Sequence, residues 1–187
     1  MARSLPGYRQ RELLVKSGFE IAEKLPTTRL NARTVAAHAN LPLRSFSTQF
    51  ADLDAYLIEL QAVHHQQMRE HTLKTIEGLQ PGIERCLRGA HAFLDFSFQR
   101  RGLRQWVSEA RSQSAELERR WRADNLLYTQ FIASELTLSG WPQPVAGARL
   151  FIAAMVALTR HEQRDNRKHP GSRRTIERFL HTYERYL

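Results

Sequence analysis

Between Arg33 and Gln49 the chain gathers side chains that hydrogen-bond well and catalyse poorly: Arg33, Thr34, Arg44, Ser45, Ser47, Thr48 and Gln49. An arginine offers a planar fork of donors that fits a phosphate or the edge of a guanine. A glutamine pairs donor and acceptor as an adenine edge requires. Hydroxyls reach either. Such a set suits a polyanion with readable edges. Catalytic patterns are not seen: there is no nucleophile elbow, no Gly-rich phosphate loop and no zinc signature. Paired carboxylates occur only as ordinary helix-surface residues, so an enzyme is not expected, nor a cofactor. His64, His65 and His71 invite a metal reading. With no HExxH, no paired cysteines and one thiol, they are expected to be surface or pocket-lining histidines, and no metal is expected.

The elements that must position the polar set follow from spacing. Asn31 is a good helix N-cap, worth about 1 kcal/mol, because its side chain accepts from an orphan N–H of the first turn. Val35, Ala36 and Ala39 fall on one face of the helix that follows, and the small Ala36 admits a close crossing. Asn40 tolerates the left-handed conformation that stops such a helix. Leu41 plugs the angle, and Pro42 suits a turn or a first helical position. A short second helix, Leu43 to Phe50, turns Phe46 and Phe50 inward. Arg44, Ser45, Ser47, Thr48 and Gln49 are expected to face out, as a helix lying in a major groove would require.

With the helix before it, this stretch resembles the DNA-binding domain of the TetR/AcrR family of bacterial regulators. The resemblance rests on Val35, Ala36, Ala39, Asn40, Leu41, Pro42, Arg44, Ser45, Phe46, Ser47, Gln49, Phe50, Asp52, Leu53 and Leu57, over about a quarter of the chain. The hydrophobic frame agrees with the family pattern. Arg44 stands where the family has Gly, Ser47 where it has Tyr, Gln49 where it has His and Leu53 where it has Lys. In the family the Tyr and Lys commonly touch phosphate, so two backbone anchors differ here. The resemblance implies an all-α fold of about nine helices. Residues 1–51 would form a three-helix helix-turn-helix head, and residues 52–187 a helical ligand-binding and dimerisation domain. Arg33, Thr34, Leu43, Arg44, Ser45, Ser47, Thr48 and Gln49 are then the expected DNA contacts.

Composition is compatible with that picture. The 187 residues carry a formal net charge of +9, which suits a polyanion partner. The first 50 residues hold eight Lys and Arg against three acidic residues, and residues 51–100 hold five against seven. Arg, Leu, Ala, Gln and Glu favour helix, and strand signals are poor. Cys86 is the single cysteine, which provides no intramolecular disulfide framework. No apolar run approaches the roughly 20 residues that span a bilayer, and the N-terminus lacks a signal-peptide core. A cytoplasmic protein with no membrane partner is expected.

The remaining chain reads as helices separated by clear breaks. Residues 1–7, with Arg3, form an arm, and a first helix runs from Tyr8 to Lys24. Asp52 caps a fourth helix that reaches about Glu77. Gln80-Pro81-Gly82 precedes a fifth, to Gln99, and Arg100-Arg101-Gly102 precedes a short sixth. A seventh runs from Ser114 to Leu138. An eighth, Val145 to His161, is apolar nearly all round, so a partner must cover one side. Arg160 to Pro170 reads as a polar loop, and a last helix spans Ser172 to Leu187.

The family forms a four-helix dimer interface from its last two helices, and the resemblance places Phe151, Met155, Leu158, Ile176, Phe179, Leu180 and Tyr183 there. It places a mainly apolar ligand cavity around His64, Met68, Phe93, Trp106, Trp121, Asn125 and Tyr128, with Arg122 and His91 as further polar candidates. The expected function is a homodimeric repressor, released from a near-palindromic operator in double-stranded DNA by a small, mainly apolar effector. The alternative is a helical interaction protein of the same fold that has lost normal operator binding.

Overall fold

The computed structural model describes residues 5–182. Among them it has nine α-helices and no strand. These are α1 Gly7–Ala22, α2 Ala32–His38, α3 Leu43–Gln49, α4 Leu53–Thr75, α5 Ile83–Gln99, α6 Arg101–Arg111, α7 Ala115–Leu138, α8 Pro144–Asp165 and α9 Pro170–His181, with a 3-10 turn at Thr27–Arg29. The all-α class is the expected one. Two stretches differ. The polar stretch after Arg160 continues α8 as far as Asp165 rather than forming a loop. The last helix starts at Pro170, two residues before the expected Ser172. Arg3 and the expected end at Leu187 lie outside the described residues.

The chain packs as two compact units. The first takes residues up to His65 together with Arg100–Arg120, and the second takes Gln66–Gln99 together with residues from Trp121 onward. This division differs from the expected boundary after residue 51. The cause is packing: Tyr56, Leu57 and Leu60 of α4 and Leu103, Trp106 and Val107 of α6 are buried in the same core as α1 to α3.

In the first unit, α1 buries Leu14, Ser17, Gly18, Ile21 and Ala22, one face at spacings of three and four. Ser17 Oγ donates to Val35 O of α2 at 3.1 Å. A Cβ on Gly18 would stand 2.2 Å from Tyr56 Oη and 2.8 Å from Leu60 Cδ1, so only glycine lets α4 pass this closely. Tyr56 then donates its hydroxyl to Leu14 O at 2.8 Å. Tyr56, Phe46 and Phe50 form a ring cluster with centroids 5.0–5.4 Å apart, a separation at which tilted aromatic pairs attract. Arg11 lies over Phe50, donates to Gln49 O at 3.0 Å and pairs with Glu59 at 3.0 Å. It thereby joins α1 to the end of α3 and the start of α4. Asp52 Oδ1 accepts from Ala55 N at 2.7 Å, the cap expected of it.

α6 closes the same unit. Gly102 donates its N–H to Glu23 Oε1 at 3.0 Å, and a Cβ on it would stand 2.1 Å from the backbone oxygen of Ala22. Trp106, fully buried, donates Nε1–H to Leu25 O at 2.8 Å.

In the second unit the core joins Ile83, Cys86, Leu87, Ala90 and Leu94 of α5 to Ile132 and Leu136 of α7. Ala148, Phe151, Met155 and Leu158 of α8 and Leu180 of α9 complete it. Two buried acids fasten its helices. Glu135 of α7 accepts from Gly82 N at 2.8 Å and from both arms of Arg85, so it caps the start of α5. Glu162 of α8 accepts from Arg173 of α9 at 2.7 and 2.8 Å, and Arg173 also reaches Asp95 of α5 at 2.6 Å. Buried charges are tolerated because each meets a partner with its hydrogen bonds satisfied. Cys86 is buried, and burial pushes its thiol up to about 12, with the nearby Glu135 charge acting in the same direction.

Two outcomes follow from the first unit. Gly102→Ala should cost about 1–3 kcal/mol, because the backbone of α1 must move to admit a methyl group. Urea denaturation would measure it, and an unchanged midpoint would contradict the close approach. The second concerns His64, which is buried. Its pKa is held well below 6.5 by burial first and then by the charges of Arg104, His65 and Arg100. The unfolded imidazole binds a proton at a higher pH than the folded one, so stability is fullest above that unfolded value and is lost as pH falls below it. Melting temperature should therefore drop between about pH 7.5 and about pH 5.5, less steeply in His64→Leu. Equal drops in both would remove His64 as a source.

Candidate nucleic-acid interface and ligand cavity

The geometry of the first site is set by how α2 begins and ends. Asn31 Oδ1 accepts from Thr34 N at 2.9 Å, the expected cap. Asn40 has φ 55°. Leu41 N reaches Ala36 O at 2.9 Å and Asn40 N reaches Ala37 O at 3.1 Å. This paired closure satisfies the last carbonyls and turns the chain sharply. Pro42, extended at ψ 149°, then starts α3.

On α3, Leu43, Arg44, Ser47 and Thr48 are exposed and Gln49 is half-buried. Ser45 departs from expectation: it is 5% exposed and sits beside Phe46 on the inner face. The inner stripe of a seven-residue helix is wider than Phe46 and Phe50 alone, and a small serine fills the gap next to Phe46. The Ser47 and Thr48 hydroxyls donate back to Arg44 O at 3.3 and 2.7 Å, which leaves their oxygens available as acceptors. Arg33 is exposed on the first turn of α2, beside the positive end of the helix dipole. Thr34 is half-buried, and its hydroxyl donates to Asn31 Oδ1 at 3.1 Å and lies 3.3 Å from Arg29 O; it serves the cap first. Arg29, absent from the expected set, is exposed, and its carbonyl also accepts from Asn31 Nδ2 at 3.3 Å. A basic residue two positions before an N-cap was the available signal. Leu53, which stands at the family's lysine, packs against the core of this unit.

The second unit holds a cavity of about 50 Å³. Thr72 of α4, Gly89, Ala90 and Phe93 of α5, Asn125, Tyr128, Phe131 and Ile132 of α7, and Phe151, Ile152, Met155 and Val156 of α8 line it. Beside it, α4 and α7 enclose a groove of about 340 Å³ lined by Arg69, Leu73, Ile76, Asp124 and Leu127. Thr72, Tyr128 and Phe131 belong to both walls. Phe93 and Tyr128 meet edge to face at 6.1 Å. The Asn125 amide nitrogen is buried with no hydrogen-bond partner among the described residues. A buried orphan donor is costly unless something brings it an acceptor.

The expected ligand residues divide accordingly. Phe93, Asn125 and Tyr128 are brought together. Trp106 belongs to the core of the first unit, and His64 is buried in that same unit. Met68 is buried in the second unit with its sulfur 3.9 Å from Ser97 Oγ and does not line the cavity. Trp121 is half-buried outside the lining. Of the polar candidates, Arg122 is exposed, and His91 pairs with Glu177 at 3.0 Å. His71 packs on Phe96 at 5.5 Å, while His64 packs on His65.

The expected dimer residues lie largely inside the chain. Phe151, Met155, Leu158 and Leu180 are buried within the chain's own core, because 151, 155 and 158 form the stripe that α8 turns to α5. Ile176 and Phe179 are partly buried against that core, and Tyr183 lies outside the described residues. The face of α8 left open carries Leu150, Ala153, Ala154 and Ala157, with Leu150 62% exposed.

No protein-family model matches the sequence, and no curated protein does. Solved structures match in fold. A transcriptional regulator from Rhodococcus sp. RHA1 superposes with a TM-score of 0.77 at 13% identity, over 91% of this chain and 93% of that one. A TetR-like transcriptional regulator from the same organism gives 0.75 at 12%, over 95% and 96%. A TetR/AcrR-family transcriptional regulator from Aquifex aeolicus VF5 gives 0.70 at 13%, over 91% and 97%. Both units are thus spanned by single relatives, and the chain has the all-α fold of the TetR-like regulators.

Proposed function

We propose that this chain is a TetR/AcrR-family transcriptional regulator that binds double-stranded DNA as a homodimer in the cytoplasm. The observation that carries the reading is the α2–α3 pair. The left-handed Asn40 joins two short helices, and α3 offers Arg44, Ser47 and Thr48 on its open side. In this reading α3 enters the major groove, Arg44 takes a guanine edge or a phosphate, and Gln49 takes an adenine edge. Arg29 and Arg33 hold phosphate beside the start of α2. Ser45, being buried, supports the helix rather than reading a base.

The dimer forms through the open face of α8, where Leu150, Ala153, Ala154 and Ala157 allow a second α8 to approach closely. Two-fold symmetry then presents two α3 helices to successive grooves, about 34–36 Å apart, on a near-palindromic operator. The protein is a repressor in this reading. A small, mainly apolar effector with one hydrogen-bond acceptor enters through the α4–α7 groove and meets the Asn125 amide. Thr72 lines the cavity from α4, and the same helix carries Tyr56 and Leu60 into the core of the first unit. Ligand therefore acts by favouring a state of α4 in which the heads no longer match the groove spacing.

Footprinting on the DNA flanking the gene at two salt concentrations tests the first claim. A protected near-palindrome is expected. Arg44→Ala should weaken it roughly tenfold and lower the salt slope by about one. Diffuse protection that vanishes with salt would instead favour an interaction protein of this fold, consistent with Ser47 and Leu53 where the family has Tyr and Lys. The dimer claim has its own test. Leu150→Glu leaves the chain's own core untouched and should halve the mass measured by light scattering; a mass unchanged from the wild type would exclude this face.

A further inference from the structure

The turn between α8 and α9 brings together three side chains that the DNA-reading proposal does not use. His161 and Asp165 are four apart on the last turns of α8, so they share a face. Asn166, at φ 49°, ends that helix, with Arg167 N bonded to Glu162 O at 3.2 Å. The reversal carries His169 back onto the same face. Asp165 Oδ2 lies 3.1 Å from His161 Nε2 and 2.9 Å from His169 Nε2. The two imidazoles stack with centroids 4.2 Å apart and 19° from parallel. One ligand atom from each residue falls within 4.8 Å of the others.

We propose that His161, Asp165 and His169 form a binding site for a divalent transition metal, zinc being the representative ion. Two imidazole nitrogens and one carboxylate oxygen suit zinc, cobalt or nickel, whereas calcium and magnesium take oxygen ligands almost throughout. The spacing suits it as well. Bonds of about 2.0–2.1 Å in a tetrahedron separate neighbouring ligands by roughly 3.3 Å, so the Asp–His edges need open by only a few tenths of an ångström, while the stacked imidazoles must turn so that both nitrogens aim at one ion. His169 Nε2 is buried and faces the Asp165 carboxylate at 2.9 Å, so a metal would take the place of the proton between them.

The surroundings hold the ligands in place and engage the nearby basic side chains. His169 N–H donates to Glu162 Oε1 at 2.9 Å, and Arg173 fixes Glu162 from the other side. This backbone bond holds the start of α9, and with it the backbone of His169, in place. Lys168 and Arg173 are occupied with Asp95. Arg164 lies 3.4 Å from Asp165 Oδ1, and both histidines face Oδ2. The His169 side chain is 15% exposed and that of His161 43%, so one ligand is an anchor and the other leaves an approach from solvent. Three protein ligands leave a position for water. A bound ion would join the end of α8 to the start of α9.

Calorimetric titration of the full chain with zinc chloride tests this site without reference to DNA. One zinc per chain is expected, with at least a tenfold weaker dissociation constant in His161→Ala and in His169→Ala. His161→Ala is the safer variant because its ring is half-exposed. Zinc should raise the melting temperature of the wild type and leave that of His161→Ala unmoved. Cobalt should give visible absorption bands in the wild type that both variants lose. No zinc uptake, or uptake that survives both substitutions, would overturn the assignment and leave the three residues as a plain histidine–aspartate ion-pair cluster.

Discussion

The close crossing of α1 and α4 is the constraint on which the first unit depends. At Gly18 the two helices touch through a position that has no side chain, and Tyr56 uses that space to reach the carbonyl of Leu14. The same tyrosine ring meets Phe46 and Phe50, so the placement of α3 follows from the placement of α4. Arg11 repeats the linkage from the other side by joining Gln49 and Glu59. The open face of α3 is therefore held by contacts that lie entirely behind it. A reading surface needs such rigidity, since hydrogen bonds to base edges lose their value when the donors wander.

The second unit is held differently. Its core is apolar, but the helix ends are fastened by buried carboxylates, Glu135 at the start of α5 and Glu162 at the start of α9. Both acids also hold an arginine. Ion pairs of this kind contribute little net stability relative to an apolar core, yet they penalise misplacement severely, because a displaced partner leaves a buried charge alone. They define where the helices stop and leave the middle of the unit to side-chain packing. The small cavity and the orphan Asn125 amide lie in that middle.

The parts of this architecture that local chemistry dictates were legible in the sequence. Asn31, Asn40, Pro42 and Asp52 each announce a helix end through a backbone requirement, and each does so in the structure. The two-unit division was not legible, because α6 joins the first unit through Gly102 and Trp106, whose partners are some 80 residues earlier. Trp106 reads equally well as a cavity aromatic or as a core residue until its N–H is seen to donate to Leu25. His64 was obscured in the same way. α8 misled for another reason. An all-round apolar helix does not say which stripe faces its own chain, and Phe151, Met155 and Leu158 took the inner one. The polar end of that helix looked like a loop because its buried acid, Glu162, acquires its meaning only from Arg173 eleven residues on.

The single cysteine has a practical consequence. Cys86 is sealed in the core of the second unit, with its thiol pushed up to about 12, and thiol reagents attack the thiolate. The native chain therefore offers such reagents almost no background. A cysteine introduced on α3 or on the open face of α8 would stand as the one reactive sulfur on the folded surface, so fluorescent or spin probes could be attached there without first removing the native residue.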